Sequence, residues 1–284
     1  MRNDVERIRS TSAQTILAKD NEICVLARHL DVGYNHETVV ADIDFELRPG
    51  QAIALIGTNG SGKSTLLKTI VGLLPSIGGS LSLFGKPPGR TPHRIAYLSQ
   101  FHPSGFILPL CAIDVVRMGR FPSRGLMKRM TREDYDIVLS AMRAMGIEQY
   151  KDSPLRSLSG GQQHRTYLAQ ILAHQADLLV LDEPTTGLDA GGKEIYLQAI
   201  SAELRRGAAI IIATHDIQEE ASACHQVMLL ARRVVAIGKP QEVLTTDTLL
   251  ETFGIVIKSE RGLTVLESKH GHDQTEADTS RKKL

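Results

Sequence analysis

The chain has 284 residues, 42% of them hydrophobic, and carries 33 basic against 32 acidic side chains for a formal net charge of +1. The length suits one large domain, or a domain with a sub-domain, and the apolar fraction is enough for a substantial core. The charge balance argues against a protein whose main work is coating nucleic acid, which calls for a basic excess. The three cysteines, Cys24, Cys111 and Cys224, are far apart and form no C-x-x-C pair. A disulfide framework or a cysteine zinc site is therefore not expected, and a reducing, cytosolic compartment fits.

Residues 1–20 are polar and charged and lack the apolar stretch of a secretory signal. They are read as an N-terminal extension, 1–21. Ile23–Leu30 and Val39–Leu47 read as strands leading to a turn at Pro49–Gly50. Gln51–Ile56 reads as a buried strand that runs into a glycine-rich loop. The segment STLLKTIVGLL, 64–74, reads as a helix stopped by Pro75. Ser80–Phe84 and Ile95–Leu98 are further strands. The stretch 101–158 changes character and becomes rich in Pro, Gly, Met and Arg around a helical centre. Thr131–Asp134 is a capping-box variant, and Ile137, Val138, Ala141, Met142 and Met145 follow at helical spacing. Strand and helix then alternate through Leu178–Leu181, a helix around 191–206, and Ala208–Ala213, with a last hairpin at Val227–Leu230 and Val234–Ile237. Residues 269–284 are polar and charged, with the composition of a disordered tail. Alternation of this kind favours a mostly parallel core sheet. No apolar run reaches the ~20 residues of a membrane-spanning helix, so any service to a membrane is expected through partners.

Three segments carry chemistry. Gly57-Thr58-Asn59-Gly60-Ser61-Gly62-Lys63-Ser64 matches the phosphate-binding pattern G-x-x-x-x-G-K-[ST], between a predicted strand and a predicted helix. Its glycines let backbone N–H groups face phosphates, and the helix N-terminus adds positive partial charge. Lys63 supplies a point charge to the terminal phosphates, and the Ser64 hydroxyl can ligate Mg2+. In Leu178-Leu-Val-Leu-Asp182-Glu183 a buried strand ends in two carboxylates, suited to a water-bridged Mg2+ at Asp182 and to polarising a water at Glu183. In Leu158-Ser159-Gly160-Gly161-Gln162 a small hydroxyl and two glycines open a helix, which makes an anion site of its exposed N–H groups. Cys224-His225 and the tail pair His270 and His272 do not amount to a metal site.

With these three segments in order, the chain resembles the ABC transporter ATPase family over roughly 22–257. Gly57–Thr65 resembles the Walker A loop, Leu178–Glu183 Walker B, and Leu158–Gln162 the ABC signature. Tyr34 is similar to the aromatic that stacks on adenine, Gln100 to the glutamine that senses Mg2+ and water, Asp189 to the D-loop aspartate, and His215 to the switch histidine at the γ-phosphate. His164 departs from the family, which more often has Gln or a basic residue there; little consequence is expected. The resemblance implies an α/β fold: a P-loop NTPase core, an antiparallel β subdomain, and an inserted α-helical subdomain at about 101–175, followed by a C-terminal segment, 258–284.

The resemblance also implies an ATP hydrolase using ATP and Mg2+, with Glu183, His215, Gln100 and Lys63 catalytic and Ser64, Gln100 and Asp182 holding the metal. The nucleotide is sandwiched in a homodimer or a pair of ATPase subunits, so that Ser159, Gly160, Gly161 and Gln162 of one chain meet the ATP of the other. Expected partners are transmembrane permease subunits and a solute-binding protein, with no nucleic acid, at the cytoplasmic face of the plasma membrane. A mixed apolar and basic patch, Phe101, Phe106, Ile107 and Leu108 beside Arg117 and Arg120, is the expected permease-facing surface. Asp114–Arg120 is similar to segments of manganese and zinc importers, with iron-chelate and haem importers as related alternatives. A soluble ABC ATPase of DNA repair or ribosomes, or a P-loop kinase, is a competing class; the kinase gives no reason for Leu158–Gln162.

Overall fold

The computed structural model describes residues 23–100, 110–125 and 128–254, and the backbone of 256–259 and 262–265. Phe101, Phe106, Ile107 and Leu108 lie outside the described residues, as do the expected N-terminal extension, 1–21, and tail, 269–284.

Two larger sheets and a two-stranded hairpin make up the β-structure of the described residues. The first is antiparallel, in the order β2 (Glu37–Leu47), β1 (Val25–Tyr34), β4 (Gly78–Leu83). The first strand runs further than its apolar pattern predicts. Val32 pairs with Val40, Gly33 with Thr38 and Tyr34 with Glu37 across register shifts, so the polar stretch beyond Leu30 stays in the ladder. A two-residue turn closes this hairpin, with Asn35 and His36 at φ 49° and 69°, the backbone that matches strand twist. Tyr34 is thereby held at a strand end.

The second sheet has six strands, ordered β5 (Ile95–Leu98), β6 (Leu178–Asp182), β7 (Ala209–Ala213), β3 (Ala52–Ile56), β8 (Gln226–Leu230), β9 (Val234–Gly238). All pairs are parallel except the last, where β9 returns as a hairpin. Every residue of β3, β6 and β7 is buried, as expected of strands covered on both faces. Alternate side chains divide between two cores. Ile53, Leu55, Val180 and Ile211 pack with the antiparallel sheet and α1 (Lys63–Ile70). Ala54, Ile56, Leu179, Leu181 and Ile212 pack with the helices α2 (Ala112–Met118), α4 (Arg132–Ala144), α5 (Gly160–His174) and α6 (Ala190–Arg206), α3 being the short Phe121–Arg124. Two short helices, α7 (Pro240–Val243) and α8 (Thr246–Phe253), and a hairpin of β10 (Val256–Ser259) and β11 (Gly262–Val265) follow. Among the described residues, no helix is long and apolar enough to cross a membrane.

Local chemistry sets the element ends. The helix expected to reach residue 74 stops at Ile70. Gly72, at φ 81°, lets its own N–H bond to Thr69 O at 3.1 Å and that of Leu73 to Lys68 O at 2.9 Å, the paired bonds of a glycine C-cap. Pro75 lies beyond this stop. The capping box at α4 forms: Thr131 Oγ1 accepts from Asp134 N–H at 3.3 Å, and Asp134 Oδ2 accepts from Thr131 N–H at 2.9 Å.

Arg120 corrects the reading of residues near 117–120 as a partner surface. It is 7% exposed and donates to Asp134 Oδ1 at 3.1 Å and to Ala173 O at 2.9 Å, tying α5 to the start of α4. Arg124 Nε approaches the other oxygen of Asp134 at 2.9 Å. Burial pushes the Asp134 carboxyl up, but its bonds from Thr131, Arg124 and Arg120 outweigh this and hold it well below the usual carboxylate range. A guanidinium with a buried carboxylate and helix-end carbonyls to satisfy has an internal role. Of the two arginines, Arg117, half-exposed beside Asp114 and the Tyr135 ring, stays at the surface.

Candidate functional site

Parallel strands end on the same side of a sheet, where ligands of open α/β folds bind. Here Leu55 pairs with Ala213 and Ala213 with Asp182, which brings the carboxyl ends of β3, β6 and β7 into line. The loop after β3 returns tightly into α1. A side chain at Gly57 would place its Cβ 2.1 Å from Leu230 O, and one at Gly62, with φ 108°, would place it 2.3 Å from Val40 Cγ2. The loop closes only with glycine at these two positions. Lys63 is 7% exposed and curls back, donating from Nζ to Gly57 O at 2.6 Å and Thr58 O at 3.0 Å. A cation thus stands at the mouth of a helix N-terminus.

Asp182 ends β6 and is 4% exposed. Burial pushes its carboxyl up, while a hydrogen bond from Ser64 and the charge of Lys63 oppose this; the neighbouring Glu183 adds to the rise. The adjacent residue, Glu183, is held at φ 52°, unusual for a side chain of this size and worth about 1–2 kcal/mol of strain. Gln100 Nε2 and Thr186 Oγ1 each donate to Glu183 Oε2 at 3.3 Å. Gly57, Asn59, Lys63, Gln100, Glu183 and His215 line one cavity of about 370 Å³. Ile217 and Phe253 complete its wall. His215 is exposed and also borders a more open hollow of about 880 Å³ along the start of α6.

The predicted residues thus fall into two groups. Gly57, Asn59, Lys63, Gln100, Glu183 and His215 converge; Ser64 and Asp182 pair beside them, and Thr65 Oγ1 donates to the Tyr34 hydroxyl at 3.4 Å. Thr58, Gly60, Ser61 and Gly62 form the loop itself, whose tip is pinned by Ser61 N–H to Thr58 O at 3.1 Å. Tyr34 is 42% exposed at the end of its strand. Ser159, Gly160, Gly161 and Gln162 are absent from the cavity's lining. Ser159 caps α5 by accepting from Gln162 N–H at 3.3 Å, while Gln162 accepts from Ser159 N–H at 2.9 Å. A Cβ at Gly160 would meet nothing within 4 Å, which leaves this helix start open to a ligand from outside. Asp189 caps α6, accepting from Gly192 N–H at 2.8 Å.

Sequence reasoning missed a polar cluster beneath His215. Glu220 is 2% exposed and lies on a π-helical turn, Ile217–Ala221. It accepts from Thr214 Oγ1, which itself accepts from Asp216 N–H at 2.9 Å, so the backbone on both sides of His215 is braced. Burial pushes the Glu220 carboxyl up to about 7, against hydrogen bonds from Thr214 and Thr185. The Tyr196 hydroxyl sits nearby, outside regular hydrogen-bond geometry. Cys224 Sγ contacts Glu220 O at 3.3 Å, and burial lifts its thiol to about 12. The only hint in the sequence is a carboxylate pair, Glu219-Glu220, where one member falls on the inner face.

The model of the ABC transporter family matches residues 40–186. The manganese transport system ATP-binding protein MntB of Bacillus subtilis is 34% identical over 226 residues, covering 80% of this chain and 90% of the relative. The zinc transport system ATP-binding protein TroB of Treponema pallidum is 34% identical over 230 residues, covering 81% and 86%. Among solved structures, cbiO1 of Clostridium perfringens, part of the transporter complex cbiONQ, is 29% identical with a TM-score of 0.69, covering 81% of this chain and 94% of that one.

Proposed function

Because this chain belongs to the ABC transporter family, as one of its ATP-hydrolysing nucleotide-binding subunits, we propose that it powers uptake of manganese or zinc through membrane permease subunits, with ATP clamped between two copies. The observation that carries the clamp is the division of the motifs. One cavity gathers the phosphate loop, Gln100, Glu183 and His215, while Ser159–Gly161 open away from it. A nucleotide held by that cavity alone leaves its terminal phosphate uncovered on one side. The open start of α5, offered by a second chain, supplies the missing N–H groups. The metal substrate is supported by the relatives' transport systems and by the similarity of Asp114–Arg120 to such importers. A solute-binding protein and the cytoplasmic membrane face belong to the same reading.

The donor set fits Mg2+: the Ser64 hydroxyl bonded to the buried Asp182 carboxylate, with the Gln100 amide nearby, offers hard oxygen ligands. When bound there, the ion would neutralise charge on the β- and γ-phosphate oxygens. The chain's own residues do the rest. The loop N–H groups and Lys63 seat the phosphates, and Tyr34 offers a face to the adenine. Glu183, oriented by Gln100 and Thr186, takes the proton of an attacking water, and His215 contacts the γ-phosphate from the opposite wall. Hydrolysis removes the bridge between copies, the pair opens, and the difference between closed and open states moves the permease.

Glu183→Gln keeps the phosphate contacts and removes the base. With ATP it accumulates as a dimer by light scattering and turns over at least ~100-fold more slowly. A Glu183→Gln chain that stays monomeric with normal turnover refutes the clamp. Uptake assays with manganese, zinc and an iron chelate in cells lacking this chain identify the solute.

A further inference from the structure

His164 departs from the family pattern at a position expected to matter little. It is 1% exposed, one helical turn into α5 from Ser159. Its Nδ1 lies 2.8 Å from the carbonyl oxygen of Thr186. A carbonyl only accepts, so Nδ1 carries the proton. Burial lowers the ring's pKa, against the bond to Thr186, which favours the neutral imidazole; the carbonyl at Nδ1 sets its tautomer. Thr186 is also the residue whose hydroxyl donates to the Glu183 carboxylate at 3.3 Å, and whose N–H bonds to Glu183 O at 3.2 Å. Glu183 itself sits in the left-handed region at φ 52°, where its carboxylate direction depends on what holds the turn. The turn 183–186 is therefore fastened at its far end by a side chain from the signature helix. Close packing reinforces the junction, since a Cβ at Gly161 would lie 3.6 Å from Gly187 O.

We propose that His164 is a positioning residue for ATP hydrolysis, which, by donating from Nδ1 to the Thr186 carbonyl, ties the orientation of Glu183 in one site to the start of the helix that grips nucleotide in the other. The inference rests on the assignment of Glu183 as the base and of Ser159–Gly161 as the grip on a second chain's ATP. In this arrangement α5 is a lever of about one turn. Nucleotide pulling on Ser159–Gly161 bears on His164, and His164 bears on the turn that aims Glu183. Each chain thus reports the occupancy of one site to the base of the other through the hydrogen bond between His164 and Thr186.

The test compares three substitutions in the full-length chain, by steady-state ATP turnover with a thermal melt of each. His164→Leu removes the donor and keeps the volume. His164→Asn keeps an N–H where Nδ1 stood. Thr186→Val, at an exposed site, breaks the Glu183 contact without threatening the fold. We expect His164→Leu to lower kcat about tenfold with KM for ATP within about twofold, and His164→Asn to restore kcat to within about threefold. Thr186→Val lowers kcat severalfold on its own, and in that background His164→Leu costs less than about twofold more, because both act on one turn. Equal losses from Leu and Asn, losses that multiply independently, or an unchanged kcat in Thr186→Val each overturn the proposal. Should His164→Leu fail to fold, His164→Met, which also lacks a donor where Nδ1 stood, takes its place in the same comparison. Glu183→Gln, run in parallel, separates the two levels. If it abolishes turnover while the coupling is missing, only the role of His164 falls; if it turns over normally, the assignment of the base falls with it.

Discussion

Glu220 allows a pH prediction whose sign and size follow from its surroundings. A glutamate carboxyl in water ionises near 4.5, and burial carries this one to about 7. Below 4.5 both the folded and the unfolded chain hold the proton. Between 4.5 and 7 the unfolded chain has released it and the folded chain has not, so unfolding releases a proton and the native state weakens as pH rises. Above 7 both are ionised, and the loss is complete. The difference amounts to about 3 kcal/mol, at 1.36 kcal/mol per pH unit. Glu220→Gln retains an amide oxygen to accept from Thr214 and cannot ionise. Urea unfolding of both chains between pH 4.5 and 8.5 therefore yields a stability difference that grows in favour of the variant by about 3 kcal/mol, most of it below pH 7.5. Curves that stay parallel within about 0.5 kcal/mol refute the reasoning. The opposite slope would mean that the carboxylate is held charged in the native state by its hydroxyl neighbours.

Other expectations use the same structure. Lys63→Ala removes the cation facing the phosphates, a charged hydrogen bond worth about 1.5–3 kcal/mol, so the Kd for a fluorescent ATP analogue rises about 10–100-fold. An unchanged Kd removes Lys63 from the phosphate site. Asp134→Asn leaves Arg120 buried without its counter-charge. A loss of about 3–5 kcal/mol in urea unfolding is expected, and a loss under ~1 kcal/mol contradicts the internal role given to that arginine. Gly60→Ala and Gly62→Ala form a pair. Both residues have positive φ, but a Cβ at Gly60 meets nothing within 4 Å, while one at Gly62 lies 2.3 Å from Val40 Cγ2. The first should cost about 1–2 kcal/mol of backbone strain only, and the second more, with nucleotide affinity lost as well. Equal melting temperatures would show that the loop, not Val40, yields.

What could be read in advance depended on how local its cause was. Strands β3, β6 and β7 are apolar throughout because both faces are covered, and such runs announce themselves without tertiary knowledge. The loop at Gly57–Ser64 was legible for a similar reason, since its glycines answer to close approaches within the loop and to the strand beside it. Arg120 was not legible. Its partner Asp134 lies on another helix and its carbonyl acceptor on a third, so a basic side chain near a Gly looked like surface. His164 misled in the same way. A polar residue inside a helix gives no sign that the backbone 22 positions later will meet it. Tyr34 stood between these cases: its type was suggestive, but only the positive φ of Asn35 and His36 and the bulged pairing of β1 explain why it reaches α1.

The register of the central sheet explains why motifs more than a hundred residues apart act as one site. Lys63, Glu183 and His215 follow strands β3, β6 and β7, which the sheet places side by side in the order β6, β7, β3. Leu55 is opposite Ala213, and Ala213 is opposite Asp182, so the chain leaves all three strands at one level. A slip of one residue in β7 would reverse the facing of its side chains and shift His215 out of line with Lys63 and Glu183. The register is fixed by the flanking ladders, Ala52–Leu55 pairing with Ile210–Ala213 on one side and Leu178–Asp182 with Ala209–Ala213 on the other. The same register gives Ser159 no place at that level, since α5 belongs to the helical layer on one side and not to a strand end. On the proposed reading a second chain supplies the N–H groups that close over the nucleotide, and the hydrogen bond from His164 to Thr186 joins the signature helix to the turn that carries Glu183.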